Sequence, residues 1–513
     1  MKKNLVLMVI CALCLIGGNA CRKDLGNYEY RELKTMDIQG FEQVYEALSG
    51  QPFHVDPKLD FMKEGGFNED DFNYEWFSFD ENMKIDDGNL KKQLGMQRIL
   101  DLNLPLTPST YSLYFRVKDK VTGYVREFKT KLNVRSEIAD GWMILNEIRN
   151  ESRLDMLAYN AKDSKFLQYT DLLSTMSTIK LKGKPRMVYF VYNRDVFNYQ
   201  FTNRIYVGTD QETYSINNQQ RTWNNFRNLK VEVMRPTSDD YHAEVIRSMG
   251  MGGFPMTYLL DSDGILSIEN STQGFMHGMT LNRFVDGGRI SISPYIAEKY
   301  RTITPYLLMF DTEKRRFLVH SGGNKGVIQP VSTDVNVFDP ADLKKDLRYM
   351  GFVNSGTPQF YAILKEPQQD NFSLLRFVSP SDTKLTPIAY EAIPNAIHLK
   401  DAEQITFDPN YGFIMYSIGS KVYQYDPFNK LEKILLDMGN RKISLIKFQK
   451  LLQVQNLARY IDYSKKLMIC TYDPAAPDNS GKMELYEISL TAAPKLFQQY
   501  EGFGKIVDAT YRE

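Results

Sequence analysis

The chain has 513 residues, too many for a single hydrophobic core, so two or more domains are expected. Its 63 Lys and Arg balance 63 Asp and Glu, leaving no net positive field to hold a nucleic acid. Of four Cys, Cys11 and Cys14 lie in an N-terminal leader, which leaves Cys21 and Cys470 and excludes a disulfide framework.

Residues 1–20 read as a signal peptide. Lys2-Lys3 supply the positive start, Leu5 to Ile16 the apolar core, and Gly17-Gly18-Asn19-Ala20 the small-residue cleavage region. The apolar run is about 12 residues, short of the roughly 20 needed to cross a bilayer. Cleavage before Cys21 is the bacterial lipoprotein arrangement, so Cys21 is the expected lipidation site. Two or more acyl chains there would hold the protein on a membrane. Residues 21–30 are then a lipidated tether.

Residues 31–136 carry alternating strands. Tyr111, Leu113, Phe115 and Val117 point one way, and Ser112, Tyr114, Arg116 and Lys118 the other. Leu100 to Leu106 and Phe128 to Val134 repeat the pattern, which marks strands with one buried face. Asp119 to Gly123 reads as a hairpin loop, and Trp76 supplies a large ring for the facing sheet. The size and pattern fit a β-sandwich.

From Gly141 onward a different pattern takes over: apolar run, turn, apolar run. Turns fall at Asn160, Asp210, Asp261, Asp311, Glu366, Asp426 and Asp473, about 50 residues apart. Residues 140–513 are therefore expected to form a seven-bladed β-propeller, with two stacked β domains as the competing architecture. The strand at Gly504 to Ala509 is placed to pair with the first blade and close the ring.

The ten residues from Cys21 to Tyr30, Cys-Arg-Lys-Asp-Leu-Gly-Asn-Tyr-Glu-Tyr, resemble the mature start of PKD-like family lipoproteins of Bacteroidetes. Tyr111 to Asp119 also resembles a late strand of PKD domains, although no Trp-Asp-Phe-Gly-Asp-Gly stretch is present. The resemblance implies an all-β layout: lipid anchor, Ig-like/PKD-like sandwich, then a long β-rich region. It further implies an outer-membrane lipoprotein beside a SusC/SusD-type nutrient-import system, with a glycan or peptide as ligand.

Catalytic motifs are not found. No His-Glu-x-x-His, Gly-x-Ser-x-Gly or Walker loop occurs, and no cofactor is implied. His54, His242, His277, His320 and His398 are too far apart in sequence to read as a zinc site, and no metal is expected. Asp261 to Gly264 begins like a calcium loop, but its twelfth position is Thr272, so a hairpin turn is expected instead. Two aromatic-polar stretches are candidates for ligand binding, through Tyr192, Arg194, Phe197 and Tyr199 in one and Trp223 and Phe226 in the other. The bland reading is that these rings fill gaps between blades. Three functions remain in view: a non-catalytic binding or accessory lipoprotein, a hydrolase with carboxylates in the propeller's mouth, and a scaffold for a neighbouring membrane protein.

Overall fold

The computed structural model describes residues 36–49, 51–61, 68–81, 91–106, 109–135, 138, 140–160, 163–194, 201–217, 223–249, 256–270, 276–283, 288–298, 307–320, 327–333, 337–353, 358–381, 383–451 and 457–513. Cys21, the leader, Phe197 and Tyr199 lie outside them. The chain divides into two compact units. The first reaches Asn133 and leaves out Leu106–Ser109; the second takes those four residues and Val134–Glu513.

In the first unit, a five-stranded sheet runs in the order Val44–Leu48, Val125–Arg135, Ser109–Asp119, Phe72–Asp80, Lys91–Gly95. Two strand pairs accompany it, Met36–Gln39 with Lys58–Phe61 and Pro52–Val55 with Leu100–Asn103. The alternation seen in the sequence survives: Tyr111, Leu113, Phe115 and Val117 are all buried. Trp76 is opposite Phe115 in register, with ring centroids 4.4 Å apart, and its indole N–H donates to the Gln97 carbonyl at 2.9 Å. This is the aromatic pair around which the sandwich packs. Trp76→Ala is expected to destabilise the unit by about 3–5 kcal/mol, read as a lower denaturant midpoint. The hairpin loop closes as its residues demand: Asp119 Oδ1 accepts the N–H groups of Val121 and Thr122, and Gly123 takes φ 71°.

The second unit holds seven four-stranded antiparallel sheets, the blades of a propeller. Blade 1 contains, from the inside outward, Lys505–Arg512, Gly141–Ile148, Glu151–Asn160 and Lys165–Tyr169. The inner strands of blades 2 to 7 are Pro185–Arg194, Ala243–Met249, Ala297–Glu298, Asp346–Val353, Gln404–Phe407 and Lys442–Phe448. Each is followed by three strands in sequence order, so every blade after the first is a simple meander.

Seven hydrophobic clusters fill the seven junctions between consecutive blades. Each blade buries both faces against its neighbours, which is why its middle strands read as near-continuous apolar runs, such as Leu307-Leu308-Met309-Phe310. The junction of blades 2 and 3 differs. Beside Val191, Tyr206, Leu229 and Ile246 it buries Arg204, Glu232, Glu269 and His277.

The last strand closes the ring. Trp142 pairs with Tyr511 and Ile144 with Ala509, so the C-terminus supplies blade 1 with its inner strand. The closure is tied by Asp140, which accepts hydrogen bonds from the Tyr460 hydroxyl at 2.6 Å, the Tyr511 hydroxyl at 2.5 Å and the Arg459 guanidinium. Tyr460 and Arg459 lie on the short helix Ala458–Ser464, which packs against blades 7 and 1.

The sequence repeat is real, but two of its turns sit at a different place in the blade. Asp210, Asp261, Asp311, Glu366 and Asp473 all mark the connection from second to third strand. Asp261, Asp311 and Asp473 hold it by accepting backbone N–H groups a few residues on. Asn160 and Asp426 mark the next connection, from third to outer strand. In those blades the second-to-third turn is the tight pair Arg149-Asn150, with φ 51° and 65°, or Gly419-Ser420. Two-residue turns of that kind need left-handed backbone rather than a capping carboxylate.

Candidate functional site

A cavity of about 520 Å³ runs through the middle of the propeller, lined by the inner strands of all seven blades. That volume suits a ligand of one or two sugar rings or a short peptide. Its aromatic wall is built from Tyr295, Tyr349 and Phe407. Tyr295 and Tyr349 meet edge-on at 5.2 Å, and Tyr349 and Phe407 lie 5.1 Å apart. Tyr189 completes the wall from blade 2, its hydroxyl accepting the Ser248 N–H at 3.1 Å. Burial pushes the phenols of Tyr189 and Tyr349 up to about 12, so both stay neutral hydrogen-bonding groups.

Glu244, Glu298, Asp508 and Glu513 bring carboxylates to the cavity lining, and Lys450 and Lys447 bind Glu298 and Asp508. Glu298 is 4% exposed, at the end of the inner strand of blade 4. Lys450, just past the inner strand of blade 7, donates to its Oε1 at 2.7 Å. This ion pair crosses the channel between blades that share no junction. Arg247 of blade 3 brings its Nε to 3.4 Å from Glu298 Oε2. Burial alone would raise the pKa of Glu298; Lys450 and Arg247 outweigh it and hold the carboxyl below its ordinary value. Asp508 binds Lys447 Nζ at 2.9 Å through Oδ1 and accepts the Val188 N–H at 3.0 Å through Oδ2. It thereby links the inner strands of blades 7, 1 and 2.

A glycosidase pair needs one carboxyl kept protonated at neutral pH by a raised pKa. Glu298 is shifted the other way. The arrangement is suited to holding a polar ligand. Among the described residues no group of three His, Cys, Asp or Glu is set to hold a metal, and no helix is long and apolar enough to cross a membrane.

Of the residues singled out from the sequence, Tyr192, Arg194, Trp223 and Phe226 are not part of this lining, and Phe197 and Tyr199 lie outside the described residues. Tyr192 and Arg194 are at the end of the inner strand of blade 2, paired with Asn203 and Phe201. Trp223 is 2% exposed and sits in the core between blades 1 and 2, under the Arg512 guanidinium. It offers no ring face to solvent. Phe226 is half-buried, packs on the same core and meets Tyr214 edge-on at 5.7 Å. The two stretches leave blade 2 from the same end, because Arg204 pairs with both Val191 and Asn217. Sequence reasoning missed Arg247, Glu298, Lys447, Lys450 and Asp508. Their signal was a lone charge set among apolar residues on an inner strand, as in Tyr295-Ile296-Ala297-Glu298.

Residues 21–185 match the model of the PKD-like family. The chain carries a PKD-like region. The match begins at Cys21 and extends past the first compact unit through the outer three strands of blade 1. No curated protein matches the chain. Among solved structures, a quinonprotein alcohol dehydrogenase-like protein from Bacteroides thetaiotaomicron is similar at 11% identity with a TM-score of 0.47, covering 92% of this chain and 97% of that one. A periplasmic gluconolactonase from Pseudomonas aeruginosa is similar at 10% identity with a TM-score of 0.35, covering 73% and 99%.

Proposed function

We propose that this protein is a lipid-anchored, non-catalytic binding component of a SusC/SusD-type nutrient-acquisition system at the outer membrane. The propeller channel takes the ligand, a glycan or peptide fragment, and the PKD-like region spaces the propeller from its Cys21 anchor. The observation that carries the reading is the channel itself, a cavity of about 520 Å³ with an aromatic wall and with Glu298 and Asp508 engaged by lysines. The leader and the family match that begins at Cys21 support the anchor.

Affinity capture of the native protein from its membranes, with co-purified glycans, peptides and proteins identified, tests the function. The expected result is a recovered ligand or an import-system partner. Recovery of neither, together with turnover of a glycan or peptide panel, would overturn it. The anchor has its own test. Wild-type protein is expected to partition into the detergent phase on cloud-point separation and to carry the mass of acyl chains on its first residue, and Cys21→Ser to keep an uncleaved leader and carry no acyl mass. A wild-type protein found in the aqueous phase contradicts the anchor.

A further inference from the structure

We infer that the channel ligand is an uncharged sugar, and that the Lys447–Asp508 ion pair recognises a vicinal diol on its ring. The inference rests on the reading of the channel as the binding site and narrows what enters it.

The charges of the lining are already matched. Arg247, Lys447, Lys450 and Lys465 stand against Glu244, Glu298, Asp508 and Glu513. Glu298 holds Lys450 at 2.7 Å with Arg247 close by, Asp508 holds Lys447 at 2.9 Å, and Glu244 is bound by Arg186. An acid or a base that enters the channel must displace one of these partners or keep its own charge unpaired, and either course costs free energy in a half-buried site. An uncharged ligand meets neither cost.

One ion pair in that balanced lining has capacity to spare. The Glu298 side chain is sealed, 6% exposed. Those of Lys447 and Asp508 are 28% and 21% exposed, and both line the cavity. An ammonium carries three donors. Among the described residues, Lys447 Nζ gives one to Asp508 Oδ1 and one to the Ala509 carbonyl at 2.6 Å, which leaves the third for a ligand. A carboxylate oxygen has two lone pairs. Asp508 Oδ2 uses one of them on the Val188 N–H at 3.0 Å, which leaves the other. A charged donor and a charged acceptor therefore stand side by side with no net charge between them. Two hydroxyls on adjacent ring carbons match that arrangement. One accepts from the ammonium, the other donates to the carboxylate, and the ion pair stays closed.

The apolar half of the site is the aromatic wall. Tyr189, Tyr295 and Tyr349 are half-buried in the same lining, with Phe407 beside Tyr349. Their rings offer a surface on which the C–H face of a sugar can lie. A sugar uses both halves at once, its C–H face on the rings and its diol on the ion pair.

Isothermal titration of the full-length protein tests this. The probes are the methyl glycosides of D-glucose, D-galactose and D-mannose, the uronate of each, and the uncharged peptide N-acetylglycine methylamide. The tightest ligand is expected to be a neutral glycoside. It is expected to bind at least about tenfold more tightly than its own uronate and than its 3-deoxy analogue, which has no vicinal diol, the ratio that one charge-assisted hydrogen bond supplies. In Lys447→Met the preference for the parent glycoside over its 3-deoxy analogue is expected to vanish, which a merely structural lysine would not cause. A uronate or the peptide as the tightest ligand overturns the inference. So does a 3-deoxy analogue bound as tightly as its parent, a preference kept in full by folded Lys447→Met, or no binding of any neutral glycoside. The wider reading falls separately, by the native capture above. The wild-type comparison decides the matter even if Lys447→Met does not fold.

Discussion

Removing residues 505–513 is expected to abolish the folded propeller. The deleted strand buries Ile506, Ala509 and Tyr511, and its loss uncovers Trp142 and Ile144 on the neighbouring strand. Each large side chain returned to water costs about 1.5–3 kcal/mol, so the total is on the order of 10 kcal/mol, comparable with the whole stability of a domain. The deletion also removes Asp508, which links blades 7, 1 and 2, and Tyr511, which binds Asp140 at 2.5 Å. Circular dichroism and limited proteolysis check the outcome. The truncated protein is expected to lose its cooperative transition and be cleaved within residues 140–504. A truncated protein with an unchanged unfolding midpoint would mean that the ring does not depend on its closing strand.

The second large effect lies at the junction of blades 2 and 3. Arg204 is 3% exposed and donates to Glu269 Oε1 at 2.8 Å, with Glu232 Oε1 at 3.9 Å. Arg204→Met leaves two buried carboxylates without their cation, and a loss of about 3–5 kcal/mol is expected at pH 8. The cluster also makes stability depend on pH. Burial, offset in part by Arg204 and reinforced by Glu269, raises Glu232 to about 7. Burial likewise raises Glu269, while burial and then Arg204 hold His277 down to about 3, so His277 stays neutral. Tyr206 and the more distant Arg227 complete the set of groups facing Glu232.

The sign follows from the raised value. Between about 4.5 and 7 the folded protein keeps the Glu232 proton while the unfolded chain has released it, so stability falls as the pH rises through that window. Glu232→Gln removes this dependence. It is expected to be close to neutral at pH 4.5 and stabilising at pH 8 by on the order of 3 kcal/mol. Thermal unfolding at the two pH values measures it. A variant less stable than wild type at pH 8 would show that the ionised carboxylate is a net gain.

The architecture was legible in the sequence because its turns announce themselves. Asp311 and Asp473 carry the signal in their own side chains, which cap the backbone of the turn. The closing strand was legible too, since Ile506 to Ala509 is an apolar stretch left over after the seventh turn. The phase of the repeat was legible only in five blades. In blades 1 and 6 the equivalent turn is Arg149-Asn150 or Gly419-Ser420, and a neighbouring Asn160 or Asp426 took its place in the count.

The site was not legible, for a physical reason. A binding channel in a propeller is assembled from one or two residues of each blade, far apart in sequence. Glu298 and Lys450 are 152 positions apart and meet at 2.7 Å. Neither belongs to a motif. Aromatic richness pointed instead to Trp223, whose ring fills the wedge between blades 1 and 2. In a fold that buries rings at every junction, an aromatic cluster signals packing before it signals a ligand. The more telling residue type was the charge that an inner strand had no packing reason to carry.

The central claim is that the channel is where the ligand sits. It is tested most directly by weighing the small molecules released from natively isolated protein on denaturation, comparing wild type with Lys450→Trp and with Lys433→Trp on the exposed outer strand of blade 6. The account predicts one species in near-stoichiometric amount from wild type and from Lys433→Trp, and its loss from folded Lys450→Trp. The same species retained in full by folded Lys450→Trp would contradict it.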